Sequence, residues 1–463
     1  MPTSRIGSTH PLNAPRPVRP KTNPCPGRWT PQPKTSRRRV VAPSLHADNV
    51  VDFEAARLQR QQIVASADTT LPAQEKPAQK KSCPPCHWGL IVLTLFLTLL
   101  SIPIIYSAST ANALEFQQNA DFFFWRQVMW VGFGLAGLWM ASRLSESATR
   151  RALWVLYFAS IVGLIAIEFS PVGVTMGGGQ RWLKLGPIPI QVSEFAKIAL
   201  IGVLADFWSR AAPTAQKSWW PWLGAMLITA PLAGLVFIQP HLSATLLLLM
   251  TPFILALYAP VPGRQWLKIV MPLVLLVGLT LGMARSHNIP FLKDYQQDRI
   301  ASFLPAGKET DARGANYQQL QGLRALRRGG LLGVGPGASL YKQGHLPAPH
   351  TDFVLAIIGE EWGLVGMLTL MALYGLLIFF CMQVGVNANS SFEALLCAGV
   401  GALMGVQLAF NTGIITGWLP VTGIPLPLLS YGGSGLICTL LGLGLVLAVS
   451  RRSGGTLAES SVK

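Results

Sequence analysis

Ten stretches of this chain are apolar over about 20 residues each, the length an α-helix needs to cross a hydrocarbon core of roughly 30 Å. They cover residues 88–107, 123–142, 151–170, 190–208, 221–239, 242–260, 266–284, 351–381, 393–417 and 427–449. In lipid only helices and closed barrels satisfy their own backbone hydrogen bonds, and these runs lack the alternation of barrel strands. The expected fold class is therefore all-α, a polytopic membrane protein with ten transmembrane helices. Composition agrees: 51% of the 463 residues are hydrophobic and 12% are charged, about half the charged fraction of a soluble domain.

Orientation follows from Lys and Arg, because positive flanks stay cytoplasmic. Arg143, Arg150 and Arg151 follow the second run, Arg210 and Lys217 the fourth, Arg264 and Lys268 the sixth, and Arg451 and Arg452 the tenth. Both termini are thus expected in the cytoplasm, with a large outer loop, residues 285–350, between helices 7 and 8. Residues 1–86 hold 14 Pro and 14 Lys or Arg against 5 Asp or Glu. That is the composition of a disordered cytoplasmic tail. Residues 87–452 form the expected membrane domain, and residues 453–463 a short cytoplasmic tail. The first strong apolar run starts near residue 88 and is long enough to span, so a cleavable signal peptide is not expected.

Six cysteines show no disulfide-framework spacing. "CPPCH", Cys83 to His87, matches the c-type haem attachment pattern. It lies on the side assigned to the cytoplasm, however, and no haem is expected.

The outer loop carries nine Lys or Arg against four Asp or Glu. A basic surface beside a membrane implies an anionic partner. Phosphate or pyrophosphate lipids fit, because guanidinium forks bind phosphate oxygens in pairs; no nucleic-acid partner is expected. Within the loop, "GGLLGVGPG" (Gly329 to Gly337) lacks the strand and helix of a nucleotide fingerprint. It reads instead as a sharply turning backbone suited to close approach.

Charge also enters the eighth run, in "HLPAPHTDFVLAIIGEEWGLVG" from His345 to Gly366. Asp352, at the water–lipid boundary, is a candidate general base near neutral pH. Glu360 lies eight residues deeper, about 12 Å along a helix, where a cavity or a partner is expected in place of lipid. Glu194 and Lys197, three residues apart on one helical face, read as a mutually neutralising pair.

Longer stretches carry a resemblance. They are "IIYSAS" (Ile104 to Ser109), "GQRWLKLGPIPIQVSEFAKIAL" (Gly179 to Leu200), "QPHLSATLLL" (Gln239 to Leu248), "DRIASFLPAGKETDARGANYQQLQGLRAL" (Asp298 to Leu326), "LPAPHTDFVLAIIGEEWGLVG" (Leu346 to Gly366) and "NTGIITGWLPVTGIPLPLLSYGGSG" (Asn411 to Gly435). In this order they resemble the SEDS family of shape, elongation, division and sporulation proteins, which includes FtsW, RodA and SpoVE. The resemblance covers about residues 90–452.

It implies a peptidoglycan glycosyltransferase that polymerises lipid II into glycan strands at the outer face of the bacterial cytoplasmic membrane. Its implied partners are a class B penicillin-binding protein transpeptidase and the proteins of a division or elongation complex. Asp352 is the implied catalytic residue. It would accept the proton of the acceptor's 4-hydroxyl as undecaprenyl pyrophosphate departs from the donor. Arg181 and Arg299 are candidates to stabilise that leaving group, with a divalent cation, Mg or Mn, as candidate cofactor and no metal ligands assigned. Tyr317, Gln318, His350 and Glu360 are further candidate substrate contacts, and Arg126, Glu194, Lys197 and Glu361 candidate structural or cavity residues.

Two departures stand out. Residues 239–243 read "QPHLS" where the family usually has "QPDLG", so His241 removes an acidic partner from Arg126. Val192 stands within a stretch that the family often writes "QPSE". "GGLLGVGPGASLYKQGHLP" looks FtsW-like and "LPVTGIPLPLLSYGGS" RodA-like, with the division type favoured. A lipid II flippase and a non-catalytic scaffold are the other readings. The flippase needs polar groups at several depths, and the scaffold makes Asp352 dispensable.

Overall fold

The computed structural model describes residues 87–460 except 118–120, 172, 177–178, 186–187, 216–217, 240, 260, 264, 267–314 and 347–348. The basic tail, the paired Cys83 and Cys86, Arg299 and nearly all of the seventh apolar run lie outside the described residues. The order of elements is α1 (His87–Gln117), α2 (Phe122–Ser142), α3 (Glu146–Phe169), β1 (Gly173–Met176), β2 (Gly179–Leu185), β3 (Ile188–Ile190), α4 (Val192–Ala215), α5 (Trp220–Ile238), α6 (Leu242–Tyr258), α7 (Ala315–Gly329), α8 (Val354–Val386), α9 (Ser391–Ile415) and α10 (Gly433–Ser460). Among the described residues, α1, α3, α5, α8, α9 and α10 are six helices long and apolar enough to cross a membrane. The chain is a helical, multi-pass membrane protein.

Helix α4 runs through the middle of the bundle. Ala196, Ala199, Leu200, Leu204 and Trp208 on it are inaccessible to solvent, and it packs on α3, α6, α9 and α10. Small residues allow close helix contact where lipid offers no hydrophobic drive of its own. At Gly444 of α10 a Cβ would sit 2.5 Å from the Leu138 carbonyl oxygen of α2.

One end of the bundle is tied by charge. The Asp206 carboxylate, near the end of α4, takes hydrogen bonds from Arg150, from Trp154 Nε1 at 3.1 Å and from Arg210 Nη2 at 2.9 Å. Ser145 caps α3 by accepting from Ala148 N at 3.3 Å. Arg452 of α10 binds Glu393 of α9 at 2.6 Å. Asp206 lies twelve residues from Glu194, about 18 Å along the helix.

Three features depart from a plain bundle of helices. Strands β1 to β3 form an antiparallel meander between α3 and α4, pairing Val174 with Trp182 and Leu183 with Ile190. With 4, 7 and 3 residues, they are too short to stand out as alternating runs. The tenth apolar run becomes helical only at Gly433, and residues before it stay irregular although Leu426, Leu428 and Leu429 are buried. Helix α8 is broken at Gly363, whose φ of 69° and ψ of −167° are not helical.

A break in a membrane helix leaves backbone donors and acceptors without partners, at several kcal/mol each in hydrocarbon. The glycine-rich segment after α7 supplies them. Val334 N donates to Glu360 O at 3.0 Å and Gly335 N to Glu361 O at 3.0 Å. In return, Leu364 N donates to Gly330 O at 2.9 Å and Val365 N to Leu331 O at 3.1 Å. This strap lies backbone to backbone on the break, and a Cβ at Gly363 would meet Gly333 N and Leu331 O at 2.4 Å.

Gly363→Ala should therefore destabilise the protein by about 3 kcal/mol or more, since that region of φ and ψ is essentially restricted to glycine and the neighbours are backbone. Gly375, with open space around it on the same helix, is the control. Thermal unfolding in detergent should show a large fall for Gly363→Ala and little change for Gly375→Ala.

Candidate active site

A cavity of about 610 Å³ opens at the end of the bundle away from Asp206. Its wall comes from the first turns of α2, α4 and α10, from Trp182 and Pro189 of the sheet, from Thr351 and Asp352 before α8, and from the irregular segment ahead of α10. Arg126, Glu194, His241, Gln407, Asp352 and Tyr431 are its polar or ionisable side chains of most chemical interest.

Asp352 is half-buried, and its backbone is fixed from two sides. Asn411 Nδ2 of α9 donates to Asp352 O at 2.9 Å and also to Ile424 O at 2.8 Å, tying the aspartate to the irregular segment. Two residues earlier, His350 O accepts from Tyr431 N at 2.8 Å. Gly423, at φ 70°, leaves room for the carboxylate, since a Cβ there would lie 3.0 Å from Asp352 Oδ2. The segment carrying Gly423 also holds Leu428 at φ 67°. A left-handed leucine costs roughly 1–2 kcal/mol. It is held by the Tyr374 hydroxyl donating to Pro427 O and by Leu426 N donating to Ser430 Oγ at 2.8 Å.

Arg126 supplies positive charge. Its guanidinium sits 4.5 Å from the centroid of Phe122 and lies beside the Tyr431 hydroxyl. Glu194 is paired with Lys197 at 2.8 Å, with side chains 9% and 3% exposed. His241 Nδ1 lies 3.5 Å from both Gln191 Nε2 and Ser193 Oγ. The starts of α4 and α10 meet here, Gln191 N donating to Ser434 Oγ at 2.9 Å. Two helix N-termini beside a guanidinium make an environment suited to negative charge.

His350 packs between aromatic rings, 4.6 Å from Phe123 and 5.5 Å from Tyr431 by centroid. Its Nδ1 has no hydrogen-bond partner among the described residues. Burial disfavours the charged ring and pushes its pKa down from 6.5 to about 4.

The other sequence candidates lie elsewhere. Arg181 donates from Nε to Gln239 O at 3.3 Å and does not line the cavity. Tyr317 and Gln318 are half-buried on α7, outside it. Glu360 also lies outside the cavity and is inaccessible; its oxygens are taken up by Arg328, Ser339 and the Leu340 and Tyr341 amides. Glu361 binds Lys342 Nζ at 2.8 Å and Ser107 Oγ at 2.9 Å beside a second pocket under the strap. Among the described residues, no three His, Cys, Asp or Glu side chains converge as a metal site. Sequence reading missed Gln407 and Asn411. Their spacing of four places two amides on one helical face within an apolar run, and that was the available signal.

Comparisons with known proteins bear out the family resemblance. The model of the cell cycle protein family FTSW_RODA_SPOVE matches residues 87–454. The probable peptidoglycan glycosyltransferase FtsW of Coxiella burnetii is 34% identical over 377 residues, covering 80% of this chain and 98% of the relative. Stage V sporulation protein E of Bacillus subtilis is 30% identical, with coverage of 79% and 96%. A structure solved to show coordination of polymerization and crosslinking by a peptidoglycan synthase complex aligns with a TM-score of 0.65 at 31% identity, covering 79% of this chain and 98% of that one. The crystal structure of the Thermus thermophilus rod shape determining protein RodA aligns with a TM-score of 0.55 at 28% identity, with coverage of 79% and 96%.

Because His350 is neutral in the fold and readily charged when unfolded, its contribution to stability is complete above pH 6.5 and lost as pH falls toward 4. The loss amounts to about 3 kcal/mol. Unfolding midpoints measured from pH 7 to pH 4 should fall, and His350→Gln should flatten that dependence.

Proposed function

This chain belongs to the FtsW/RodA/SpoVE family of cell cycle proteins, and from that membership we propose that it is a peptidoglycan glycosyltransferase polymerising lipid II at the outer face of the bacterial cytoplasmic membrane. The observation that carries the reading is Asp352, set on the wall of a roughly 610 Å³ cavity that also holds Arg126 and the starts of α4 and α10. Asp352 acts as general base, accepting the proton of the acceptor's 4-hydroxyl as that oxygen attacks the anomeric carbon of the lipid-linked donor. Undecaprenyl pyrophosphate leaves, and its charge is met by Arg126 and the two helix N-termini. Arg126 takes the part first assigned to Arg181, which is engaged with the Gln239 carbonyl. Arg299, outside the described residues, is a second candidate for that part. A divalent cation, Mg or Mn, would be held by Asp352 and would supply positive charge to the leaving group.

Ten spans with cytoplasmic termini fit this placement. Arg150, Arg210 and Arg452 gather at the Asp206 end, away from Asp352, as positive flanks require. FtsW is the name carried by several relatives, which supports division over elongation. A class B penicillin-binding protein is the proposed partner, supported by the likeness to a synthase complex that couples polymerization with crosslinking. The Glu194–Lys197 pair, closed on itself, argues against a polar path through the bilayer and so against a flippase.

The purified complex with its class B partner, supplied with lipid II, should make glycan strands, and Asp352→Asn should lower the rate by about 10²-fold or more. Equal rates for the two proteins would remove Asp352 from the chemistry and favour a scaffold.

A further inference from the structure

We infer that Glu360 is a positioning residue for Asp352, acting through the strap that leads from α7 to the catalytic carboxylate. This rests on the role given to Asp352 above. Glu360 is inaccessible to solvent, and apart from its neighbour Glu361 its helix carries no other Asp, Glu, Lys or Arg. Its carboxylate collects four donors from a short stretch of chain. Oε1 accepts from Arg328 and from Leu340 N at 2.9 Å, and Oε2 from Ser339 Oγ and from Tyr341 N at 3.3 Å. An acceptor with two oxygens and about four lone-pair sites is thereby filled from one segment.

Among the described residues, the strap's other ionic attachment is the neighbouring one. Lys342 Nζ donates to Glu361 at 2.8 Å, to Ser107 Oγ at 2.9 Å and to Gly337 O at 2.7 Å, which joins the strap to α1. From Lys342 the chain runs on to Asp352 in only ten residues, with Leu346 N bound to Tyr341 O at 3.0 Å and Leu346 itself buried. His350 is then clamped between Phe123 and Tyr431. The aspartate thus stands at the far end of a short, twice-anchored connection whose root is Glu360. It is also joined to Glu360 directly, through the first turns of α8. Asp352 lies within the loop that the Glu360 carboxylate closes onto Leu340 and Tyr341, so a change in how Glu360 holds the strap bears on the aspartate from both directions along the chain.

Glu360→Gln leaves the size of the side chain unchanged but turns one acceptor into an NH₂ donor facing donors. The strap loses its charge-assisted bonds to Glu360 and keeps the one from Lys342 to Glu361, and Asp352 loses alignment while the cavity keeps its lining. Misplacement by about 1 Å is enough to cost up to 10²-fold in rate. A role confined to stability would instead lower the yield and the unfolding midpoint, leaving kcat per folded molecule unchanged.

The full-length protein in complex with its class B partner is assayed with lipid II as wild type, Asp352→Asn, Glu360→Gln and Ser339→Ala, with amide hydrogen exchange followed over residues 330–352. The expected result is a kcat per folded molecule at least tenfold lower for Glu360→Gln and lowered to a smaller degree for Ser339→Ala. KM should stay within about twofold in both, and exchange should be faster across the strap. An unchanged kcat in Glu360→Gln overturns the inference, as does a loss confined to KM. If Glu360→Gln does not fold, Ser339→Ala decides alone: a lowered kcat supports the inference and a wild-type kcat overturns it. An active Asp352→Asn sinks the reading of Asp352 itself, whereas an inactive Asp352→Asn beside a fully active Glu360→Gln sinks only the role of Glu360.

Discussion

Backbone groups inside a membrane need partners made of protein, and the architecture around α8 follows from that requirement. An unbroken helix would satisfy itself and leave the outer segment free to wander. The interruption at Gly363 instead opens two carbonyls and two amides, which are closed by Gly330, Leu331, Val334 and Gly335. Four hydrogen bonds between main chains are indifferent to most side chains but intolerant of a Cβ at the crossing. The glycines of the strap are therefore fixed by geometry, and Glu360 and Glu361 extend the same joint with charge.

The cavity forms where regular structure gives way on several elements together. α8 starts late, α10 starts after a buried irregular segment, and a small sheet replaces a simple turn between α3 and α4. Non-helical backbone at membrane depth is tolerated where it lines a cavity, and here it does so. Its strain at Leu428 is held by Tyr374 and Ser430. The ionisable groups are sorted along the bundle: Arg126, Glu194, His241 and Asp352 at the cavity, and Asp206, Glu393, Arg150 and Arg452 in closed pairs at the other end.

Much of this was legible in the residues. Uninterrupted apolar length marked nine of the ten expected runs that fall on described helices, because hydrophobic length is a direct physical requirement of the bilayer. The Glu194–Lys197 pair followed from helical spacing alone. What stayed hidden depends on backbone or on distant partners. Gly363 looks like any of the many glycines in membrane helices, and nothing in its neighbours announces a break. Glu360 was visible as a charge too deep for lipid, but the donors that meet it sit 19 to 32 residues earlier in the chain, beyond any helical period. The start of α10 was placed too early because "PLPLLS" is as apolar as the helix that follows. Arg126 was read as lacking a partner once His241 replaced an acid, whereas it finds an aromatic ring and a phenol.

The joint between strap and broken helix has a consequence for how such a chain is made. Its partners are near neighbours in sequence, so closing it costs little loop entropy. Synthesis delivers the strap before α8, however, and the strap meets its acceptors only when Glu360 and Glu361 emerge on the same side of the membrane. In the folded protein the glutamates are thus met by donors from the segment that precedes them in the chain, and the costliest residues of that span are matched by a neighbour in sequence.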